Sequence, residues 1–420
     1  MRQTQVSPAP APPRRQRAAW SRAMEARALC TPTDTLRAAI AQWQALASEP
    51  AVQLALAREA AQSRQPELTL AYRNVVAVGA GYRKKRTRSG KEKLTREPCV
   101  IFTVRRKWPA TDKRQGDPQK LPKHLLGHTT VNGDRVLCAI PTDVQLETAL
   151  FDVRPRGNSL GWTAGPGLDE AGTLGCVVEV RDGATTEAFA LSAMHVFSPR
   201  PKVGAPSLFK DLSFRPMDAA GAQQTAPVIA TTSEFGGVLR DQASGLPTFD
   251  VQLARPVPAQ MPWLRQALAN QRLAPGLPYV RNPAEFEALA GGLFELAVPA
   301  NHPKRPQTPR LPMLCQFSQW RDETLSIPYR ARRGNAMVDC EAFHRLLIEF
   351  EVLGVRRPLH GDSGCAVLNN RGDGTRTLIG LFIASADNAA LAFAIPAWHL
   401  FDPTRYWNLP AGATLRPVNP

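Results

Sequence analysis

Three segments of this chain carry side chains that could act together on a carbonyl group. Gly361-Asp362-Ser363-Gly364 holds a serine between glycines. Glycine lets the backbone turn sharply, so the amides of Gly361 and Ser363 can face one point, where a tetrahedral intermediate would place its oxyanion. The tetrapeptide reads equally as an ordinary surface turn, so its meaning depends on a base and an orienting acid upstream. Both exist. His195 stands in Leu191-Ser192-Ala193-Met194-His195, at the end of a strand beside small residues. Asp250 stands in Phe249-Asp250-Val251-Gln252-Leu253-Ala254, an apolar strand where a lone carboxylate is costly without a hydrogen-bond donor such as an imidazole N–H. Each has a bland reading: a satisfied histidine after an apolar run, or an aspartate capping a turn with Pro247. His360 is a rival base, but it shares the tight turn of Ser363 and would point away from Oγ. It is expected to touch substrate.

The elements around these residues are short strands. The chain has 38 prolines and 29 glycines, which favour many strands and turns over long helices. Residues 176–180 and 187–191 form a hairpin across the turn Arg181-Asp182-Gly183-Ala184, and its second strand delivers His195. Between Asp250 and Ser363, strands are expected at 293–298, 313–317 and 346–350, with a helix over 262–274.

Taken in order, Ser192-Ala193-Met194-His195, Asp250-Val251-Gln252-Leu253 and Gly361-Asp362-Ser363-Gly364 resemble the motifs of the chymotrypsin/trypsin-like serine peptidases. Ile379-Gly380-Leu381-Phe382-Ile383-Ala384-Ser385 resembles the family's strand that lines the primary specificity pocket. Phe393-Ala394-Ile395-Pro396 with Trp398-His399-Leu400 resembles its closing strand and terminal helix, and Gly172-Thr173-Leu174-Gly175-Cys176 its first barrel strand. The resemblance covers roughly residues 160–405. It implies a mainly β fold of two antiparallel six-stranded barrels, with His195 as base, Asp250 as orienting acid and Ser363 as nucleophile. Gly361 and Ser363 would form the oxyanion hole, with Arg357, His360, Ile383, Ala384 and Ser385 at the substrate pocket. The chain departs from the family at Val196, where a cysteine is usual, and at Cys365, where glycine is frequent. Six residues before the serine, at the family's pocket base, stands Arg357. There it would disfavour Lys or Arg substrates and favour an acidic or phosphorylated side chain; alternatively, Arg356 and Arg357 face solvent.

Composition bounds the rest. At 420 residues the chain has room for two or three domains, and a hydrophobic fraction of 43% is ordinary for a globular protein. The cysteines at 30, 99, 138, 176, 315, 340 and 365 are scattered and odd in number. That pattern suits reduced thiols and places the protein in the cytoplasm; it offers no zinc spacing, and no metal or cofactor is expected. No apolar run is long enough for a membrane helix, and no apolar stretch follows Arg14, Arg15 and Arg17 to make a secretory signal.

The charge is uneven. Residues 1–127 carry 25 Lys and Arg against 9 Asp and Glu, a net +16, while the remaining 293 residues hold 27 of each. Within that basic third, residues 1–17 form a Pro/Ala/Arg-rich disordered tail and 18–66 a helical segment in which Leu36, Ile40, Trp43 and Ala47 recur at helical spacing. Residues 67–150 form a basic β-hairpin module, with strands at 68–70 and 74–82, a tip rich in Lys and Arg at 83–91, a return strand at 99–104 and a turn at Asn132-Gly133. It resembles a leader found before the peptidase domain in some bacterial and plant trypsin-like proteins. A peptidase domain over 151–405 and a tail over 406–420 complete the chain.

Three functions stand open. The first is a serine endopeptidase acting on a protein or peptide, regulated by a protein bound through the N-terminal helices. The second is a catalytically silent peptidase fold that binds peptides. The third is a nucleic-acid-associated protein using residues 83–107, whose basic run is otherwise a solvated loop.

Overall fold

The computed structural model describes residues 33–72, 74–87, 92–107, 121–131, 133–147, 162–164, 171–197, 213–215, 227–238, 240, 248–262, 264, 277–298, 313–321, 325–333, 336–354, 357–358, 362–370, 376–386, 391–404 and 407–417. They fall into two compact units, Met1–Glu147 and Thr148–Pro420.

In the first unit, helix α1 (Thr33–Ala45) buries Ala39 and Trp43 on one stripe. A short 3-10 turn, Leu46–Ser48, leads to α2 (Pro50–Ala71), which starts with proline at its first turn, where a missing N–H does no harm. The Gln53 side chain donates to the Trp43 carbonyl at 2.9 Å and ties the two helices together. Here the structure corrects the sequence reading. Leu68, Thr69 and Leu70 were expected to form a strand, but α2 runs through Pro66 to Ala71. Leu68 is buried on the face that also carries Ala57, Ala60 and Ala61, and the Thr69 hydroxyl donates to the Gln65 carbonyl at 2.7 Å. That packing outweighs the β-like local sequence and the lost donor of Pro66.

The same unit holds β1 (Val75–Arg86), β2 (Glu92–Val104), β3 (His124–Val131) and β4 (Asp134–Leu146). β1 and β2 form the expected antiparallel hairpin, β2 runs parallel to β4, and β3 and β4 form a second hairpin at Gly133, whose φ of 90° suits glycine. The basic run over 83–107 is partly neutralised: Arg83 and Lys85 meet Glu97, and Lys107 meets Glu92.

The second unit is built from two antiparallel β structures. The first uses β5 (Trp162–Ala164), β6 (Ala171–Gly172), β7 (Cys176–Asp182), β8 (Thr185–Ser192), β9 (Ser213–Arg215), β10 (Ala230–Gly236) and β11 (Gln252–Pro256). A single-turn helix α3 (Met194–Phe197) follows β8. The second uses helix α4 (Pro283–Glu287), β12 (Leu293–Leu296), β13 (Met313–Arg321), β16 (Leu347–Val352), β17 (Ala366–Asn370), β18 (Leu378–Ala386), β19 (Leu391–Pro396) and helix α5 (Ala397–Leu400). Between β13 and β16 lies a separate hairpin of β14 (Leu325–Arg333) and β15 (Ala336–His344).

The later strands pair in the order β12-β17-β18-β19-β16-β13, and β12 pairs back onto β13, so this half is a closed six-stranded barrel. The earlier half forms an eight-stranded sheet, β20-β7-β8-β11-β10-β9-β5-β6. Its β20 (Thr414–Pro417) comes from the expected C-terminal tail and pairs with β7. The helix expected over 262–274 falls mostly outside the described residues.

Inside the barrel, Phe286 of α4 packs 4.8 Å from Trp320 and 5.1 Å from Phe317, while Phe294 lies 5.2 Å from Phe350, ring centre to ring centre. Such offset and edge-to-face pairs contribute about 0.5–1.5 kcal/mol beyond burial. A second core joins both halves, with Leu191, Phe197 and Leu253 beside Leu381, Ile383 and Ile395. No helix among the described residues is long and apolar enough to cross a membrane.

Candidate active site

β8 and β11 are neighbours, with Ser192 opposite Gln252 and Leu191 opposite Leu253. His195 lies three residues beyond Ser192, and Asp250 two residues before Gln252. In an antiparallel pair those two extensions leave the sheet at the same end. The register therefore brings together residues that the sequence separates by 55 positions. The chain bends on both sides. After β8 it coils into α3, and before β11 the Val251 N–H donates to the Phe249 carbonyl at 3.0 Å, a tight turn centred on Asp250.

The carboxylate grips one residue twice. Asp250 Oδ2 lies 2.6 Å from His195 Nδ1, and Oδ1 accepts the His195 backbone N–H at 3.1 Å. An ionised carboxylate only accepts, so Nδ1 is the donor and Nε2 is left as the imidazole's basic nitrogen. The length is that of a charge-assisted bond. Burial strengthens it, since His195 is 3% exposed and Asp250 0%.

The serine arrives from the barrel half. Ser363 sits in a turn before β17, closed by Cys365 N–H donating to the Asp362 carbonyl at 3.1 Å. Gly364 has φ of 89°, a left-handed conformation that an L side chain adopts only with strain. Its α-carbon is pressed against the histidine-bearing loop. A Cβ there would lie 2.1 Å from Ser192 Oγ and 2.3 Å from the Thr173 carbonyl oxygen, which are themselves hydrogen-bonded at 2.7 Å. The Thr173 N–H donates to the Ser363 carbonyl at 3.0 Å. Ser363 is thus anchored to the segment before β7, which the Ser192 hydroxyl ties to the strand end that leads to His195, and it is 8% exposed. Its Oγ donates to the Ile383 carbonyl at 3.3 Å. Ile383 is the extra residue of a bulge in β18, since Phe382 pairs with Ala394 and Ala384 with Phe393.

Of the expected pocket residues, Ile383 and Ala384 are buried and Ser385 is half-buried on β18, beside the serine turn. Arg357 is elsewhere in character. It is exposed, and its guanidinium donates to the Gly354 carbonyl at 2.6 Å and to the Val352 carbonyl at 3.3 Å, acceptors on its own loop. His360 and Gly361 lie outside the described residues.

Sequence reasoning missed several supports. Gly172 admits Val196, and Gly237 admits the Phe249 carbonyl; a Cβ at either would come within 2.3 Å or 1.8 Å of those atoms. Both glycines back a residue adjacent to His195 or Asp250. Glu349 is buried under the donors Ser318 Oγ at 2.8 Å, Gln319 Nε2 at 3.0 Å and Arg321 Nε at 2.6 Å. His344 is also buried, and its proton affinity falls to a pKa of about 4, first through burial, with Asp250 raising it and His195 lowering it. Nothing in the sequence pattern marked that histidine. The described cysteines 99, 138, 176, 315 and 365 are buried free thiols, and burial raises the Cys176 pKa to about 12. Among the described residues no group of His, Cys, Asp and Glu could hold a metal ion.

No protein-family profile matches the chain, and no curated protein matches it in sequence. Among solved structures, it is similar to the NS6 protease of murine norovirus 1, with TM-score 0.24 and 15% identity over 50% of this chain and 80% of that one. It is also similar to a serine endoprotease from Yersinia pestis, with TM-score 0.22 and 15% identity over 53% of this chain and 58% of that one. At such scores these likenesses carry no weight beside the geometry.

Proposed function

We propose that the chain is a serine endopeptidase of the chymotrypsin-like type. The observation that carries this reading is the buried 2.6 Å Asp250–His195 bond, beside the Thr173 segment that anchors the Ser363 turn and is itself held by Ser192. Ser363 Oγ attacks a peptide carbonyl and passes its proton to His195 Nε2. Asp250 holds the Nδ1 proton and stabilises the imidazolium. The Ser363 amide, with that of Gly361, receives the oxyanion. The C–N bond breaks as His195 returns the proton to the leaving amine. Water, deprotonated by His195, then hydrolyses the acyl ester.

Ile383, Ala384 and Ser385 are assigned to the substrate side through their place on β18. Arg357 is left outside the pocket, because its guanidinium already serves loop carbonyls. The buried free thiols fit a reducing compartment, and on that ground we assign the protein to the cytoplasm.

A fluorophosphonate probe tests the reading. Labelling of the wild type that disappears in Ser363→Ala and falls steeply in His195→Ala supports it; equal labelling of Ser363→Ala removes it. One observation favours a second reading, a silent peptide-binding module: the Ser363 hydroxyl donates to Ile383. A folded wild type that never labels, yet binds peptides, would select that alternative.

A further inference from the structure

A second imidazole lies within electrostatic range of the His195–Asp250 pair. His344 ends β15 and is 1% exposed. The chain turns at once behind it. Leu346 has φ of 59°, the one non-glycine with positive φ among the described residues, and such strain persists where surrounding structure imposes it. Arg345, Leu346 and Leu347 share the wall of a small cavity with Thr248 and Phe249, the two residues ahead of Asp250. The turn that follows His344 therefore packs beside the residues that lead into Asp250, and the charges of Asp250 and His195 both act on the His344 ring.

We propose that His344 is a positioning residue: a neutral imidazole that closes the far side of Asp250 and thereby sets how strongly His195 holds a proton. The proposal rests on the endopeptidase reading for its catalytic meaning, but its electrostatic content stands apart from it. In a dry site a charge acts over several ångströms with little screening. A carboxylate open to water would spread its interaction into solvent and loosen its aim at Nδ1. A cation in the same place would draw the carboxylate away from His195. A neutral imidazole does neither, and has an N–H to offer the anion. Burial, the largest influence on it, lowers its pKa to about 4 and keeps it neutral near pH 7. The groups that face it are Asp250 and His195 from the earlier half. Arg345, from its own turn, and His399, after β19, stand at the cavity.

The test uses the full chain and two variants. His344→Gln keeps a neutral N–H donor, and His344→Phe fills the space without one. The readouts are the pH profile of fluorophosphonate labelling and the His195 titration midpoint by NMR. We expect His344→Gln to stay within about threefold of wild type. His344→Phe should lose about tenfold in rate and move the His195 midpoint upward by about one unit, because the carboxylate's uncompensated charge then falls on the imidazolium. In the wild type, the His344 ring resonances should shift as His195 titrates while His344 itself stays neutral. That last measurement needs no variant to fold. A wild type whose His344 resonances ignore the His195 titration overturns the proposal. So does a His344→Phe variant that matches wild type in rate and midpoint, or equal losses in both variants in step with melting temperature. If the wild type is not labelled but the midpoint moves only in His344→Phe, the endopeptidase reading fails and the positioning role stands.

Discussion

Substituting Gly364 with alanine isolates what the serine turn requires of its neighbours. Two effects act at that position. The φ of 89° is strained for any L side chain, by about 1–2 kcal/mol. The added Cβ would also meet Ser192 Oγ at 2.1 Å and the Thr173 oxygen at 2.3 Å. Neither atom can withdraw easily, since they are bonded to each other at 2.7 Å in a buried site. Overpacking of this kind destabilises by about 1–3 kcal/mol. Gly412 supplies the control: its φ is 86°, and nothing lies within 4 Å of its Cβ position. Gly364→Ala should therefore lose about 2–5 kcal/mol and Gly412→Ala about 1–2 kcal/mol, leaving a difference of about 1–3 kcal/mol due to packing. Urea unfolding followed by tryptophan fluorescence measures both. Where Gly364→Ala remains folded, its Ser363 should label at least tenfold more slowly, because the turn must lift away from the His195 loop. Two variants equal in stability within about 0.5 kcal/mol, or a wild-type labelling rate in Gly364→Ala, would refute the idea that this contact seats the serine.

Three further outcomes are expected. Asp250→Asn should fold, keep its circular dichroism spectrum and label on the order of 10⁴-fold more slowly, since the amide cannot hold the productive tautomer; labelling rates check this. His344 makes stability depend on pH. Its folded pKa lies below the ordinary value of 6.5, so the unfolded chain binds more protons between pH 6.5 and about 4. Stability is full above that window and declines by about 3 kcal/mol as pH falls through it, a slope that His344→Phe should remove in urea titrations at stepped pH. Glu349→Leu strips the buried Arg321 guanidinium of its carboxylate and should lose about 3–5 kcal/mol in the same unfolding assay, whereas Glu349→Leu combined with Arg321→Met should recover much of that loss.

The candidate residues His195, Asp250 and Ser363 stood out because they sit in short local contexts. Strand periodicity placed His195 just past one strand and Asp250 inside another, where the structure instead has Asp250 in the turn just ahead of β11, and Gly364 announced a turn. What joins them was not legible, because it depends on register. The approach of Gly237 to the Phe249 carbonyl and of Gly172 to Val196 arises only when the sheet is assembled. His344 carries no local mark, since a buried and an exposed histidine have the same neighbours in sequence. The α2 boundary failed for a related reason: Leu68-Thr69-Leu70 has β-like content, but the face it continues belongs to a helix begun eighteen residues earlier at Pro50. Arg357 stands at the right interval before the serine, yet interval alone says nothing about which carbonyls a guanidinium finds.

The β14–β15 hairpin leaves the barrel after Arg321 and returns at Leu347, and these two residues face each other on one rung of the β13–β16 ladder. A segment spliced in at a single rung places no constraint on the register of the strands around it. Its far end, beyond the Arg333–Ala336 pair, is therefore a tolerant point for added sequence, such as an epitope or a reporter peptide. Its base is not, because the last residue of the returning strand is His344. Lengthening the appendage at its tip and lengthening it at its root are different operations, and only the second reaches the surroundings of the candidate site.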